Sequence, residues 1–404
     1  MINLRDKILH DIRLIDFNKV FNVDIADFKG LKYEAKDNYK FSILGNYYKI
    51  SRFFFSTVYK SIFTYPFISN PNKKKIFYIK NFTNNYIDFN SEIYEKISGT
   101  AVCKTYKRLK KTEISNFFYC IYIIFKIRKL WIKILKINGI GLFESNGIMI
   151  FLKFFGALSD VLKILPTLSK YKKLVSFMEM TQFENLVCQI ANINKIKTFA
   201  LEHGMGAYKP RGSYWEKYKI TGIRSSVCKN ILCWGKYSKR LFKNHTNAKI
   251  HIIGKARLPI IKNYSDGVTF IFQHKRWSTF NKKLFKIASS LKKYKIPISY
   301  WYKGENLINK NKSSRDGPLR KIIVGNSSNL LAELGVLNFH VYLLKNSFYF
   351  DFIKNDFIVA TVEKIKMKYD ESNDNYPTQY WKNFIECSGN ESILRYKKII
   401  FNNN

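Results

Sequence analysis

"KKLVSFMEMTQFENLVCQIANINKIKTFALEHG", residues 172–204, decides the fold. Two short apolar runs, KKLVSFME (172–179) and IKTFALEHG (196–204), read as buried strands. Between them MTQFENLVCQIANIN (180–194) has the spacing and length of a helix. Strand, helix, strand at this separation is the repeating unit of a parallel α/β sheet. The second strand ends on Glu202, His203 and Gly204, an acid, an imidazole and a glycine at the point where it enters a loop.

The pattern continues in both directions. Downstream, KNILCWG (229–235) and KIHIIG (249–254) read as strands around the helix KYSKRLFKNH (236–245). KARLPIIKNYSDG (255–267) carries the Pro, Asn and Gly of a linker. A second series follows, with strands at 268–274, 296–304, 320–328 and 339–345 and helices at 280–295 and 329–337. NDFIVATVEKIK (355–366) closes it, and YPTQYWKNFIECSG (376–389) reads as one more helix. Upstream, KKKIFYIKNFTNN from residue 73 reads as a strand and an Asn-rich loop. The expected organisation is therefore a helical, basic and aromatic segment (1–73), a Rossmann-like domain (74–260), a second Rossmann-like domain (261–370) and a helical tail (371–404).

Composition narrows the partners. The 404 residues carry 70 Lys and Arg against 29 Asp and Glu, a net charge of +41. Such a field draws anionic partners: nucleic acid, anionic lipid or a phosphate-bearing substrate. Recognisable nucleic-acid modules are missing and the cations are spread along the chain, which argues against specific nucleic-acid binding. The aromatic excess, 34 Phe and 27 Tyr, accompanies abundant Lys, Asn and Ile and reflects codon bias. Six scattered cysteines form neither a CxxC nor a zinc spacing, and the charged N-terminus does not read as a secretory leader. The expected location is cytoplasmic, peripheral on the inner face of the membrane. Three segments, 47–63, 116–137 and 148–165, alternate apolar residues with cations at helical spacing, as core helices or surface-lying amphipathic helices do.

In parallel sheets ligands bind where strands end at their carboxyl edge, so the chemistry is sought there. Glu179, Glu202 and His203 stand at such ends and are candidate general bases; Gly204 lets the backbone turn or approach a ligand. Two have a structural alternative, capping for His203 and a helix N-terminal acid for Glu179. VGNSSNLLAELG (324–335) places Gly325, Asn326, Ser327 and Ser328 between a strand and a helix, where N–H and hydroxyl donors suit a phosphate or simply cap the helix. Glu333 lies one turn later, placed to accept from a ribose hydroxyl or to close a capping box. Gln273 and Arg276, within QHKR, follow the first strand of the second domain and Lys303 the second, where cations would neutralise a diphosphate without metal. No GxGxxG, GxxxxGK[ST] or DxD is present, so no metal or other cofactor is expected.

Tandem Rossmann-like domains with TFALEHG in the first and IIVGNSSNLLAELGVLNFHVYLL in the second resemble the GT-B glycosyltransferases of bacterial surface polysaccharide synthesis. That group includes capsule and lipopolysaccharide sialyl- and Kdo-transferases and polyol-phosphate transferases. The likeness spans residues 172–345 and its motifs are short. It implies a GT-B fold, an acceptor glycan or lipid-linked glycan held by the first domain, and a nucleotide-sugar donor held by the second. His203 matches the family's HG histidine, and Ser327 and Ser328 its phosphate-binding serines. SYWYKGEN (299–306) replaces the sialyltransferases' HP dipeptide and RDGP (315–318) their acidic-Gly motif, which leaves the donor sugar open. A CDP-linked glycerol- or ribitol-phosphate transferase is the alternative within the group, and a nucleic-acid-binding protein the alternative outside it.

Overall fold

The computed structural model describes residues 14–21, 43–69, 76–79, 89–98, 100–108, 114–137, 145–177, 181–202, 226–244, 246–261, 263–272, 278–302, 315–325, 329–344, 357–359, 361–371 and 376–401. It is an α/β protein with two largely parallel sheets. The first has the order β1-β3-β2-β4-β5-β6-β7 and the second β10-β9-β8-β11-β12-β13.

In the first sheet the central strands are β2 (Ile76–Ile79), β4 (Lys173–Ser176), β5 (Lys197–Leu201), β6 (Asn230–Cys233) and β7 (Lys249–Ile252). Ile76, Phe77, Tyr78 and Ile79 are all buried, as expected for a strand covered on both faces. Alternate side chains go to opposite layers. Phe77, Ile79, Leu174 and Ala200 pack towards α4 (Ser145–Leu168) and α5 (Gln182–Ile193). Ile76, Tyr78, Val175 and Phe199 join Tyr94 of α2 (Phe89–Ser98) and Tyr396 and Ile400 of α10 (Asn390–Phe401). Helix α5 is fixed at its start by a capping box: the Thr181 hydroxyl accepts from the Glu184 N–H, and the Glu184 carboxylate accepts from the Thr181 N–H.

The N-terminal region is not helical throughout. After α1 (Ile43–Phe63), Thr64–Ser69 forms β1, which pairs antiparallel with β3 (Thr100–Arg108) and closes the sheet edge. Helix α4 holds α1 in place: the buried Lys163 ammonium donates to the carbonyls of Lys60 (2.9 Å) and Thr64 (2.6 Å), satisfying the C-terminal end of α1. Of the three amphipathic segments, the one forming α4 is a core helix, with Leu152, Phe154, Leu158 and Val161 buried.

The second sheet is built from β8 (Ser265–Phe272), β9 (Ile298–Tyr302), β11 (Arg320–Gly325), β12 (His340–Leu344) and the short β13 (Ile358–Val359), with β10 (Arg315–Asp316) antiparallel at one edge. Val268, Phe270, Ile322 and Val324 face α7 (Ser278–Leu291) and α9 (Val362–Asp370). Ile271, Ile323 and Val341 face α8 (Asn329–Val336) and the segment carrying Trp381 and Phe384.

The tail departs from the expected helix over 376–389. Thr378–Asn383 is a 3₁₀ turn inserted into the second core, and the regular helix comes later, at α10. Between them the chain returns to the first sheet, where the Lys173 ammonium donates to the Ile400 carbonyl at 2.6 Å. The chain thus passes between the two sheets twice, after β7 and after the 3₁₀ turn. The two passages touch: Lys255 and Ser388 form a parallel bridge, with the Lys255 N–H donating to the Cys387 carbonyl at 2.9 Å. Gly254 permits the contact, since its φ is +75° and a Cβ there would lie 2.1 Å from the Cys387 carbonyl oxygen.

Candidate functional site

The two sheets share one ordering of their parallel strands. In each, the first strand is central, the second lies on one side of it, and the third onward lie on the other. Connections leaving the first and third strands therefore diverge, opening a crevice at their carboxyl ends. In the first sheet this point falls between β2 and β4, where Ile79 pairs with Ser176, and β5 is next, with Ala200 beside Ser176. In the second it falls between β8 and β11, where Ile271 pairs with Gly325. Strand β9 lies on the other side of β8, with Tyr302 beside Phe272.

In the sequence, most candidate residues follow these strand ends. Glu179, His203, Gly204, Gln273, Arg276, Lys303, Asn326, Ser327 and Ser328 lie outside the described residues. Their last described chain neighbours are Phe177, Glu202, Phe272, Tyr302 and Gly325, each at or just past a carboxyl end of its own sheet. Gly325 itself is the final residue of β11 rather than part of a turn. A Cβ there would stand 3.0 Å from a Leu331 methyl carbon, so this glycine lets α8 lie close on the strand. The start of α5 carries its own acid, Glu184, through the capping box.

Glu202 is only 3% exposed. One carboxylate oxygen accepts the Trp234 N–H at 2.6 Å and the other accepts the Ser238 hydroxyl at 2.5 Å. Its own N–H donates to the Leu232 carbonyl at 2.9 Å. The end of β5 is thereby tied to β6 and to the first turn of α6 (Lys236–Lys243). Burial pushes this carboxyl up to about 7, against the opposing pull of the Ser238 and Trp234 hydrogen bonds and the Lys255 charge. Such a value suits a general base, but a base must also present an oxygen to its substrate. Both oxygens here are engaged inside the fold, so Glu202 is a brace.

Glu333 likewise departs from its expected roles. Helix α8 begins at Asn329, which puts Glu333 beyond the capping-box position, and its carboxylate makes a buried ion pair with Lys255. The Lys255 ammonium also lies 4.5 Å from the centre of the Trp234 ring. Trp234 and Tyr237 belong to the same apolar cluster as Leu331, Trp381 and Phe384 of the second sheet's layer. Glu202, Trp234, Lys255 and Glu333 therefore form one continuous buried chain of contacts joining the carboxyl edge of the first sheet to the helix that follows β11.

Lys255, Trp234 and Ser238 were not expected from the sequence. Lys255 reads as a linker cation, yet it follows a strand carboxyl end directly, the same positional rule that singles out Lys303. Among the described residues no group of three or more His, Cys, Asp or Glu side chains converges on one point. No protein-family model matches the chain, and no curated protein matches it.

Proposed function

We propose that this protein is a GT-B-type glycosyltransferase that moves a sugar from a nucleotide-activated donor to a lipopolysaccharide, O-antigen or capsule acceptor. The observation that carries this reading is that Tyr302 pairs with Phe272, and Gly325 with the preceding Ile271, at the carboxyl edge of the second sheet. From Phe272, Tyr302 and Gly325 the chain runs directly into QHKR, Lys303 and NSSN. Segments separated by tens of residues thus start side by side at the crevice where parallel sheets take their ligands.

In this reading the donor's phosphates are held by N–H and hydroxyl groups of Asn326, Ser327 and Ser328 and by the charges of Arg276 and Lys303, with Gln273 beside them. Glu179 or His203, leaving neighbouring strands of the first sheet, removes the acceptor hydroxyl proton. The acceptor oxygen then bonds to the sugar's anomeric carbon as the bond from that carbon to the phosphate oxygen breaks. The departing nucleotide phosphate keeps the electron pair, and the cations neutralise it. Glu202 acts through position, holding the strand end from which His203 follows.

The test is thermal stabilisation by CMP, CDP, UDP, GDP and dTDP. A nucleotide at a hundred times its Kd adds about 2.7 kcal/mol to the folded state. A selective rise in Tm that disappears in Ser327→Ala/Ser328→Ala is expected, and its nucleotide names the donor class. His203→Ala is expected to keep that rise and lose transfer. No rise with any nucleotide overturns the donor site.

A further inference from the structure

Two of the three amphipathic segments leave an apolar side uncovered. Helix α3 (Ile114–Ile137) buries Cys120, Ile123, Trp131, Ile134 and Leu135 against the core. Its opposite side is just as apolar over the first half of the helix, with Phe118 62% and Phe125 58% exposed and Ile121 and Tyr122 outward between them. A helix apolar on all sides is normally enclosed. Over the second half cations join the exposed side, with Lys126, Arg128, Lys129, Lys133 and Lys136 outward among Leu130, Ile132 and Ile137. Helix α1 packs beside α3 and, like it, on α4. It adds the exposed rings of Phe54, Tyr59 and Phe55, the last 69% exposed, together with the exposed Arg52. Neither helix contains an Asp or Glu.

The arrangement is ordered rather than a scatter of side chains. The Arg128 guanidinium lies 3.8 Å from the centre of the Phe125 ring and donates to the Phe125 carbonyl at 2.7 Å, holding a cation against the apolar half. No described helix is long and apolar enough to cross a membrane. An outward apolar side rimmed by cations and free of acids requires a partner that is negative at its surface and apolar just beneath. Nucleic acid offers the charge without the apolar layer, whereas an anionic bilayer offers both.

We infer that the outer side of α1 and α3 is a docking face for an anionic lipid surface, with the rings of Phe55, Phe118 and Phe125 entering the headgroup–acyl boundary and the α3 cations meeting lipid phosphates. This inference stands apart from the transferase reading and holds or fails without it.

The experiment measures binding of the full chain to phosphatidylcholine vesicles with and without phosphatidylglycerol at physiological salt. The parent protein is expected to bind only the phosphatidylglycerol vesicles. Phe55→Ser/Phe118→Ser/Phe125→Ser is expected to weaken that binding by roughly a hundredfold, since each ring removed takes its apolar contact with it. Lys126→Gln/Lys129→Gln/Lys133→Gln is expected to do the same through charge, at roughly fivefold per lysine. Both variants change exposed side chains and are expected to melt with the parent. Unchanged vesicle affinity in both overturns the inference, as does equal binding to the neutral vesicles. A solution dimer that the ring substitutions dissolve while lipid affinity persists assigns the face to a second copy instead, and also overturns it.

Discussion

The junction between the two sheets and the outer side of α1 and α3 invert the ordinary distribution of residues in opposite ways. At the junction Glu202, Lys255 and Glu333 are ionisable groups inside the protein. On the outer helices Phe55, Phe118 and Phe125 are rings in solvent. The internal groups are answered by neighbours, Trp234 and Ser238 for Glu202 and the Lys255–Glu333 pair across the two sheets. Substitution at the junction should therefore strike folding, while substitution on the outer helices should leave folding alone and act on what binds there.

The largest expected effect comes from Lys255→Met, which leaves Glu333 buried without its cation. A loss of about 3–5 kcal/mol in denaturant unfolding is expected. Lys255→Met/Glu333→Leu should recover most of it, because an apolar pair of similar size carries no desolvation cost. If the double variant is as unstable as the single, the pair is holding more than itself.

A smaller effect, readable in pH, belongs to Glu202. Its folded-state pKa of about 7 lies above the ordinary 4.5, so the folded protein holds a proton that the unfolded chain has released between those values. This group's contribution to stability is thus fully present below pH 4.5 and declines as pH rises to about 7. Glu202→Gln keeps the shape and most of the hydrogen bonding, and should flatten the Tm profile across that window. A profile identical to the parent's would move the origin of the pH dependence elsewhere.

The smallest effect is expected outside. Phe55→Ser or Phe118→Ser should change unfolding free energy by no more than about 0.5 kcal/mol. A loss of several times that size would show that these rings are covered in the folded protein, and the contrast with the junction would collapse.

The sequence was legible where information is local. The unit from β4 to β5 is written in consecutive residues, and it appears in place, down to the buried strand residues Leu174, Val175 and Phe199. The second series was legible for the same reason. What escaped depends on separation. Strand β1 hides in TYPFIS, whose proline disguises an edge strand that only its partner β3 defines. The tail helix was placed too early because YPTQYWKNF has aromatic spacing like a helix, yet its rings fill the second core one by one from a 3₁₀ turn. The partners of the two site carboxylates, Ser238 for Glu202 and Lys255 for Glu333, lie 36 and 78 residues away. Periodicity has no access to such pairings, so the internal partners of Glu202 and Glu333 could not be read from the sequence.

The double passage of the chain has a consequence for how the protein can be divided. A fragment stopping at residue 260 contains the seven described strands of the first sheet but not α10. Without Tyr396 and Ile400, one face of that sheet, with Ile76, Tyr78 and Val175, would lie open to water. Gene order and structural module therefore do not coincide, and cutting between the sheets should yield an aggregating half. Joining residues 386–401 ahead of the first strands, as in a circular permutation, is the route by which the half should become soluble.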